Sequence, residues 1–290
     1  MVLKITKLPN LPLVSIVIPT LNRQAHLKKC LFSLFKMNYH NLEIIVVDNG
    51  CNDGTEKMIS LNFPAVKFIK EQRKGVVFAR NTGIKHAKGD IIAFTDDDCI
   101  VDSNWVSELI SGFSSPKIGA VGGPVFHLHP EEIPEKFWCS RTEPLDLGKK
   151  KLAVKMLITG NLSVRSSIIK KIQFDESLLF HDSEDIDFCK AILDLGYQLF
   201  YIPSAIVYHD IDAERINIIY ITKRAFFSGI SRFIIKRKRI NGILIPRFLR
   251  DLIASVFNFL HKRKVANFYR LVVCFTSLLS SIFLIIMRFE

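Results

Sequence analysis

Three adjacent carboxylates, Asp96, Asp97 and Asp98, follow a short apolar run at residues 91–94. The run is partly β-branched and follows a glycine, so it predicts a buried strand with the carboxylates at its carboxyl end. Because side chains alternate along an extended segment, we expect Asp96 and Asp98 to share one side and Asp97 to face away. Two converging carboxylates repel each other unless a cation neutralises them, and Mg²⁺ and Mn²⁺ are hard divalent ions that accept oxygen ligands.

The same stretch has a second interpretation that needs no metal ion. The sequence SNWVSELI at residues 103–110 predicts a helix, and an acidic turn before it would supply an N-cap through Asp102 or Ser103. On these residues alone, the metal site and the capping turn both stay open.

Polar side chains also end two other predicted strands, VSIVIPT at residues 14–20 and LEIIVVDN at residues 42–49. The carboxyl ends of parallel strands meet at one edge of a sheet, where open α/β proteins bind their ligands. Thr20, Asp48 and Asp96 can therefore line a nucleoside pocket, in which a carboxylate accepts hydrogen bonds from a base or a ribose hydroxyl.

The sequence carries neither a GxGxxG motif after the first strand nor a GxxxxGK[ST] motif. The first absence disfavours a dinucleotide-binding Rossmann site, and the second excludes a P-loop. Without a glycine cradle for phosphates, a divalent ion has to carry that charge, with Arg80 as a helper. The residues expected to bind the donor nucleotide are Pro19, Thr20, Asn22, Asp48, Arg80, Asp96 and Asp97.

A second acidic group opens the helix that is predicted within HDSEDIDFCKAILDLGY, residues 181–197. Glu184, Asp185 and Asp187 fall in its first turn, after Ser183. They either compensate the helix dipole or supply a general base for an incoming hydroxyl. An extended segment after this helix leads to His209, and a single histidine is more often structural than a ligand.

The elements that must position these groups alternate between strand and helix patterns. Leucines at helical spacing predict a helix at residues 24–36, a weak strand follows at 66–71, and a further helix is predicted at 75–87. Such units imply right-handed crossovers and a mainly parallel sheet. Residues 124–152 break the pattern, and their Phe126, Phe137 and Trp138 indicate an ordered wall of a site.

The positive charge of the chain is concentrated in its last part. The 290 residues carry a formal net charge of +12, and residues 210–290 hold 15 lysines and arginines against 5 acidic residues. The basic clusters KRKR and HKRK lie between apolar runs, which favours helices on an anionic membrane surface over nucleic-acid binding. The uncharged residues 271–287 are at the lower limit for a spanning helix, so a span and an in-plane helix both stay open.

Six cysteines are scattered along the chain without a CxxC pair, and no apolar signal segment precedes them. We therefore expect reduced thiols in a cytoplasmic protein. Cys99, which follows the carboxylates, is expected to be a packed small residue rather than a nucleophile.

The ordered segments resemble family 2 glycosyltransferases of the GT-A fold over about residues 12–210. The segments that carry the resemblance are SIVIPTLNR, EIIVVDNGCNDGT, GVVFARNTGIKHAKGDIIAFTDDDC, TGNLSVRSSII, FDESL and SEDIDFCKAILDLGY. The resemblance implies a Rossmann-like α/β fold with a mainly parallel sheet between helices. It implies a GT-A catalytic domain at residues 1–210, and we expect a basic, amphipathic helical region at residues 211–290 that associates with a membrane.

The resemblance also implies roles for particular residues. Asp96 and Asp98 match the family's DxD motif, with Asp98 as a ligand of Mn²⁺ or Mg²⁺ and Asp96 nearer the ribose. Asp48 matches the base-binding aspartate, and Asn49 departs from the acidic residue that often follows it. The residues matched to the catalytic-base pair, to the end of the metal site and to the acceptor or sugar side are, in turn, Glu184 with Asp185 as the base, His209, and Gly160, Asn161 and Trp138.

The implied activity is metal-dependent transfer of a sugar, with inversion, from a nucleotide-diphosphate sugar to an acceptor hydroxyl. The basic tail suggests a lipid-linked glycan or a cell-envelope polysaccharide precursor as acceptor, at the cytoplasmic face of the membrane. The alternatives are a catalytically silent nucleotide- or sugar-binding module, a nucleotidyltransferase and a nucleic-acid-binding protein. A nucleotidyltransferase usually needs a basic, glycine-rich loop after the first strand, and PTLNRQAHL contains no glycine.

Overall fold

The structure is a computed structural model that describes residues 11–134, 145–178, 183–212, 215–239, 245–261 and 265–286. The described residues divide into two compact units. The first consists of residues 11–128, 145–176 and 185–210, and the second consists mainly of three helices after residue 210. Trp138, which we expected at the site, lies outside the described residues.

Strands and helices alternate over the first part of the first unit, and several strands follow one another directly in its later part. The strands are β1 (Val14–Thr20), β2 (Leu42–Asp48), β3 (Lys67–Lys70), β4 (Ile91–Phe94), β5 (Cys99–Val101), β6 (Ile118–Gly122), β7 (Val125–His127), β8 (Leu152–Val154), β9 (Leu162–Arg165), β10 (Gln198–Tyr201) and β11 (Val207–His209). The helices of this unit are α1 (Gln24–Phe35), α2 (Thr55–Asn62), α3 (Val76–His86), α4 (Trp105–Ser111), α5 (Ser166–Ile169) and α6 (Glu184–Asp194).

The main sheet has eight strands in the order β3-β2-β1-β4-β9-β6-β10-β8. Its first four strands are parallel, whereas β9 runs antiparallel to both β4 and β6. A second, three-stranded sheet has the order β5-β11-β7. The largely parallel central sheet confirms the predicted α/β class.

The main sheet lies between two layers of helices because its strands are apolar on both faces. Ile16 and Ile18 of β1 belong to the core on the side of α1, together with Leu27. Val17, which points to the opposite face, packs with Val77 of α3. Both faces of β1 are thus buried, as expected for a central strand of a parallel sheet.

The helix after the acidic stretch begins later than the capping interpretation predicts. The N-cap of α4 is Asn104, so the cap predicted at Asp102 or Ser103 is wrong. The Asp102 carboxylate instead accepts the Asn104 N–H at 2.8 Å, which makes a turn before the helix. The acidic residues at positions 96–98 are not caps of α4.

The second unit contains α7 (Ile218–Arg239), α8 (Ile245–His261) and α9 (Val265–Ile286), and α9 packs against the other two. The hydroxyls of Ser228 and Tyr269 lie 2.6 Å apart, and the Ser277 hydroxyl donates to the Gly229 carbonyl at 2.9 Å. Among the described helices, α9 included, none combines the length and the apolarity that crossing a bilayer requires.

Candidate active site

The carboxyl ends of the central parallel strands form one edge, as the sequence predicts. Thr20 is in register with Asp48, and Phe94 at the end of β4 pairs with Val17 of β1. The Asp48 carboxylate accepts two main-chain N–H groups, from Gly50 at 2.9 Å and Cys51 at 2.6 Å. These bonds fix Asp48 at the end of β2.

The loop after β1 is tied to the loop after β2. Pro19 is buried within β1 opposite Val47, and Asn22 follows with a positive φ of 52°. The Asn22 side chain accepts the Asn52 N–H at 2.8 Å, so the two loops are held together at the edge of the sheet.

The three carboxylates do not alternate as an extended strand would. Strand β4 ends at Phe94, and the Cys99 N–H donates to the Asp96 carbonyl at 3.1 Å, which closes a turn. Because of this turn, Asp97 and Asp98 converge instead of facing opposite sides. The expectation that Asp97 faces away from Asp98 is therefore wrong.

Two arginines bind the acidic turn formed by residues 96–99. Nη1 of Arg23 lies 2.9 Å from Asp97 Oδ1 and 2.5 Å from Asp98 Oδ2, and the Thr20 hydroxyl donates to the other oxygen of Asp97 at 2.8 Å. The buried Arg80 lies 2.9 Å from Asp96 Oδ1. The Asp96 side chain is 35% exposed, against 7% for Asp97 and 3% for Asp98, so Asp96 is the carboxylate that reaches solvent.

The pKa of Asp97 shows how strongly the charges in this turn interact. Burial, and then the neighbouring charge of Asp98, raise the pKa of Asp97 to about 6, although Arg23 and the Thr20 hydroxyl act in the opposite direction. The turn therefore holds its negative charges only with the help of the cations around it.

Strand β11 brings His209 to the same turn. His209 is in register with Cys99 of β5, and its Nε2 lies 3.0 Å from Asp98 Oδ2. Ligand atoms of Asp96, Asp98 and Cys99 all lie within 4.8 Å of one another. Burial raises the pKa of the Cys99 thiol well above its usual value, so this group is a neutral thiol.

A three-residue 3₁₀ turn, Thr159–Asn161, lies in space beside both the acidic turn and the start of α6. A Cβ atom on Gly160 would lie 3.3 Å from Asp96 Oδ2. The hydroxyl of the preceding Thr159 lies 3.1 Å from Asp185 Oδ1. Asp96 and Asp185 therefore border neighbouring residues of one short turn.

The side chain of Asn161 is hydrogen-bonded within the core. Its side chain is fully buried, donates to the carbonyls of Pro124 and Ala205, and accepts the Trp105 indole N–H at 2.8 Å. These bonds hold the 3₁₀ turn in place and engage both ends of the Asn161 amide within the core. Glu184, the first residue of α6, is also buried.

Sequence reasoning missed two residues of this site. Arg23 follows the first predicted strand and was not assigned to the site, because nothing local links it to Asp97, which lies 74 positions away. Thr159 lies within the segment TGNLSVR, which had been noted for its resemblance, but its contact with Asp185 requires the fold.

The chain is similar to known glycosyltransferases. The family model described as glycosyl transferase family 2 matches residues 15–173. The glycosyltransferase AglE of Haloferax volcanii is 30% identical over 211 residues, which cover 69% of this chain and 67% of that protein. The pre-mycofactocin glycosyltransferase of Mycobacterium tuberculosis is 28% identical over 225 residues, and the match spans 74% of this chain but 46% of that protein.

Two further matches extend into the last part of the chain. The glucosyl-dolichyl phosphate glucuronosyltransferase of Haloferax volcanii is 23% identical over 268 residues, 82% of each protein. The structure of the mannosyltransferase PcManGT from Pyrobaculum calidifontis, in complex with GDP-Man and Mn²⁺, has a TM-score of 0.62 at 19% identity and covers 93% of this chain and 75% of its own. The resemblance noted from the sequence is confirmed, and the chain belongs to glycosyl transferase family 2, with the GT-A fold.

Proposed function

We propose that this glycosyltransferase is metal-dependent and inverting, and that it transfers a sugar from a nucleotide-diphosphate sugar to a hydroxyl of a lipid-linked glycan or polysaccharide precursor. The observation that carries the proposal is the 3₁₀ turn at Thr159–Asn161, whose Thr159 hydroxyl lies 3.1 Å from Asp185 and whose Gly160 is close enough to Asp96 that a Cβ atom there would lie 3.3 Å from the carboxylate. A donor-side carboxylate and a candidate base thus border neighbouring residues of the same short turn.

The side chains at the acidic turn suit a divalent ion. Asp96 and Asp98 offer carboxylate oxygens, and His209 adds an imidazole nitrogen 3.0 Å from Asp98. Mn²⁺ accepts such a mixed set, and Mg²⁺ prefers the oxygens. When bound, the ion would offset the negative charge that develops on the departing diphosphate. PcManGT, which shares the fold, binds GDP-Man together with Mn²⁺, and this supports a divalent ion as the cofactor here.

The other residues then have distinct roles in the transfer. Asp48 and Thr20 would hold the nucleoside at the edge of the sheet, and Arg80 would keep Asp96 oriented. The acceptor oxygen attacks the anomeric carbon as the bond to the diphosphate breaks, and Asp185 takes the acceptor's proton. A single displacement of this kind inverts the anomeric centre.

The proposed acceptor and location depend on the second unit and on one relative. The glucosyl-dolichyl phosphate glucuronosyltransferase, whose name specifies a lipid-linked acceptor, aligns with 82% of this chain. The basic helical region would bind an anionic membrane surface on the cytoplasmic side, where such acceptors are assembled.

The donor site can be tested by thermal unfolding with UDP, GDP, dTDP and CDP, each with Mn²⁺, Mg²⁺ or EDTA. A ligand at 100 times its Kd stabilises the native state by about 2.7 kcal/mol. We expect one nucleotide to raise the melting temperature only with metal, and Asp98→Asn to abolish that rise.

The matched control is Asp194→Asn, which removes an exposed carboxylate at the end of α6 and should leave the rise intact. If no nucleotide stabilises the wild-type protein with either metal, the donor site is not functional and the chain is a silent member of its fold.

A further inference from the structure

Arg23 is hydrogen-bonded to the Asp98 oxygen that a metal ion at this site would also bind. Its Nη1 lies 2.5 Å from Asp98 Oδ2, and Nε2 of His209 lies 3.0 Å from the same oxygen. Mg²⁺ binds oxygen ligands at about 2.0 to 2.1 Å. The guanidinium and the ion cannot both sit at this oxygen, because two cations so close would repel strongly.

The same guanidinium also serves Asp97. Its Nη1 is shared between Asp97 and Asp98, and the Arg23 side chain is 16% exposed, so the contact is largely shielded from water. One arginine atom thus bridges two carboxylates, as a divalent ion would.

Arg23 immediately precedes α1, with its carbonyl accepting the Leu27 N–H at 2.9 Å as the first turn of that helix closes. The start of a helix carries partial positive charge and attracts anions. If Arg23 is released from the acidic turn, its guanidinium lies at the start of α1, where it can bind the diphosphate of a donor.

We propose that Arg23 is a resident cation of the acidic turn which competes with the divalent ion for Asp98, and that the donor diphosphate relieves this competition by binding the released guanidinium. The proposal rests on the metal site proposed above. Its consequence is a coupling: metal binds weakly to the protein alone and more tightly when a nucleoside diphosphate is present.

The test is a titration of the full chain with Mn²⁺, followed by the electron paramagnetic resonance signal of free Mn²⁺, with and without the nucleoside diphosphate found by thermal unfolding. We expect Arg23→Gln to bind Mn²⁺ alone about tenfold more tightly than wild type, about 1.4 kcal/mol. We also expect the gain in Mn²⁺ affinity from added nucleotide to shrink by a similar factor.

Two variants separate competition from other effects. Arg23→Lys keeps the positive charge and should stay within about threefold of wild-type Mn²⁺ affinity, since a like charge still opposes the ion. Lys29→Gln removes another positive charge from α1, one that contacts Asp210 rather than the acidic turn, and should change the affinity less than about twofold.

The direction in which Arg23→Gln changes Mn²⁺ affinity shows whether Arg23 competes with the ion. If Arg23 only held the carboxylates in place, Arg23→Gln would leave Mn²⁺ affinity unchanged or weaken it, and that result would overturn the proposal. Asp98→Asn tests the proposed metal site separately from the role of Arg23. Undiminished Mn²⁺ binding in that variant would contradict the metal site itself.

Discussion

Asp185 depends on a neighbouring side chain for its orientation. The Thr159 hydroxyl lies 3.1 Å from Oδ1 of Asp185, and the Thr159 amide lies 3.4 Å from Oδ2. A general base must point one oxygen at the proton that it accepts. Thr159 is therefore a positioning residue for the proposed base.

We expect Asp185→Asn to lower kcat by about 10² to 10⁴, the usual contribution of a general base. Thr159→Val keeps the shape but removes the hydroxyl, and should lower kcat by about tenfold. Donor affinity, measured by thermal unfolding with nucleotide and metal, should stay unchanged in both variants.

Asp187→Asn is the control for the loss of negative charge in the first turn of α6, and it should keep near-wild-type turnover. Turnover by Asp185→Asn at the wild-type rate would rule out Asp185 as the base.

The sequence predicts which residues gather at the site better than it predicts how they face one another. Asp48, Thr20 and Asp96 lie at one edge because parallel strands determine the direction of their ends. The facing of Asp97 was mispredicted because the alternation rule holds only while the chain is extended, and here it turns after Phe94. Arg23 could not be assigned to Asp97 from any local pattern.

At the scale of elements, the loop between β3 and α3 explains why Asn49 replaces the acidic residue that is often found there. The Asn49 amide donates to the carbonyls of Glu71 and Arg73, at 3.2 Å and 2.7 Å, and its oxygen accepts the Gly75 N–H at 2.8 Å. A carboxylate can accept the last of these bonds but cannot donate the first two. The asparagine thus fixes the loop that leads into α3.

We expect Asn49→Asp to lower the free energy of unfolding by about 2 to 3 kcal/mol, because the buried Glu71 carbonyl and the half-buried Arg73 carbonyl lose their donor and face a carboxylate. Burial and these carbonyls should raise the pKa of the new carboxyl above its unfolded value of about 3.9. Stability is then lost as the pH rises, so the deficit should be largest at pH 7 and smaller near pH 4.

Urea unfolding of the variant and the wild type at both pH values measures the deficit. Asn52→Asp, on the exposed loop after β2, is the matched control and should change stability by less than about 0.5 kcal/mol. A deficit that is equal at pH 4 and pH 7 would contradict the assigned role of the Asn49 amide.

Sequence patterns identify the long elements and miss the short ones. The predicted strand at residues 14–20 coincides with β1, and the predicted helix at 24–36 differs from α1 by one residue. The three-residue strands β5, β7 and β11 are too short to show periodicity, yet their sheet delivers His209. Strand β9 has only four residues and was missed as well, and nothing local indicates that it runs antiparallel to its neighbours.

At the scale of the whole molecule, α8 carries an exposed apolar stripe that can test the proposed membrane association. Four apolar side chains recur on one side of this helix, and they are Leu249 (45% exposed), Ile253 (62%), Val256 (40%) and Leu260 (66%). Their spacing of four, three and four residues places them in one stripe. Phe248, on another side of α8, packs with Phe233 and Leu278 of the neighbouring helices.

The stripe also offers a sharper test of membrane association than removing the end of the chain. Deleting residues 268–290 would remove most of α9, against which both α7 and α8 pack. The Ser228–Tyr269 and Ser277–Gly229 contacts would be lost, so a change in location would not be separable from unfolding of this unit. Substitutions on the exposed stripe leave those contacts in place.

We expect the double variant Ile253→Asn, Leu260→Asn to bind vesicles of anionic phospholipid at least tenfold more weakly than wild type in a flotation assay. Burying one such side chain contributes about 1.5 to 3 kcal/mol, so two lost side chains suffice for that change. Leu61→Asn, at a 71% exposed position of α2 in the first unit, is the matched control and should float as the wild type does. Raising the salt concentration should weaken binding in every case, because the basic residues of the tail attract the anionic surface. Wild-type binding by the double variant would show that the stripe does not enter the bilayer, and flotation that depends only on salt would assign the attachment to the basic segments of the tail.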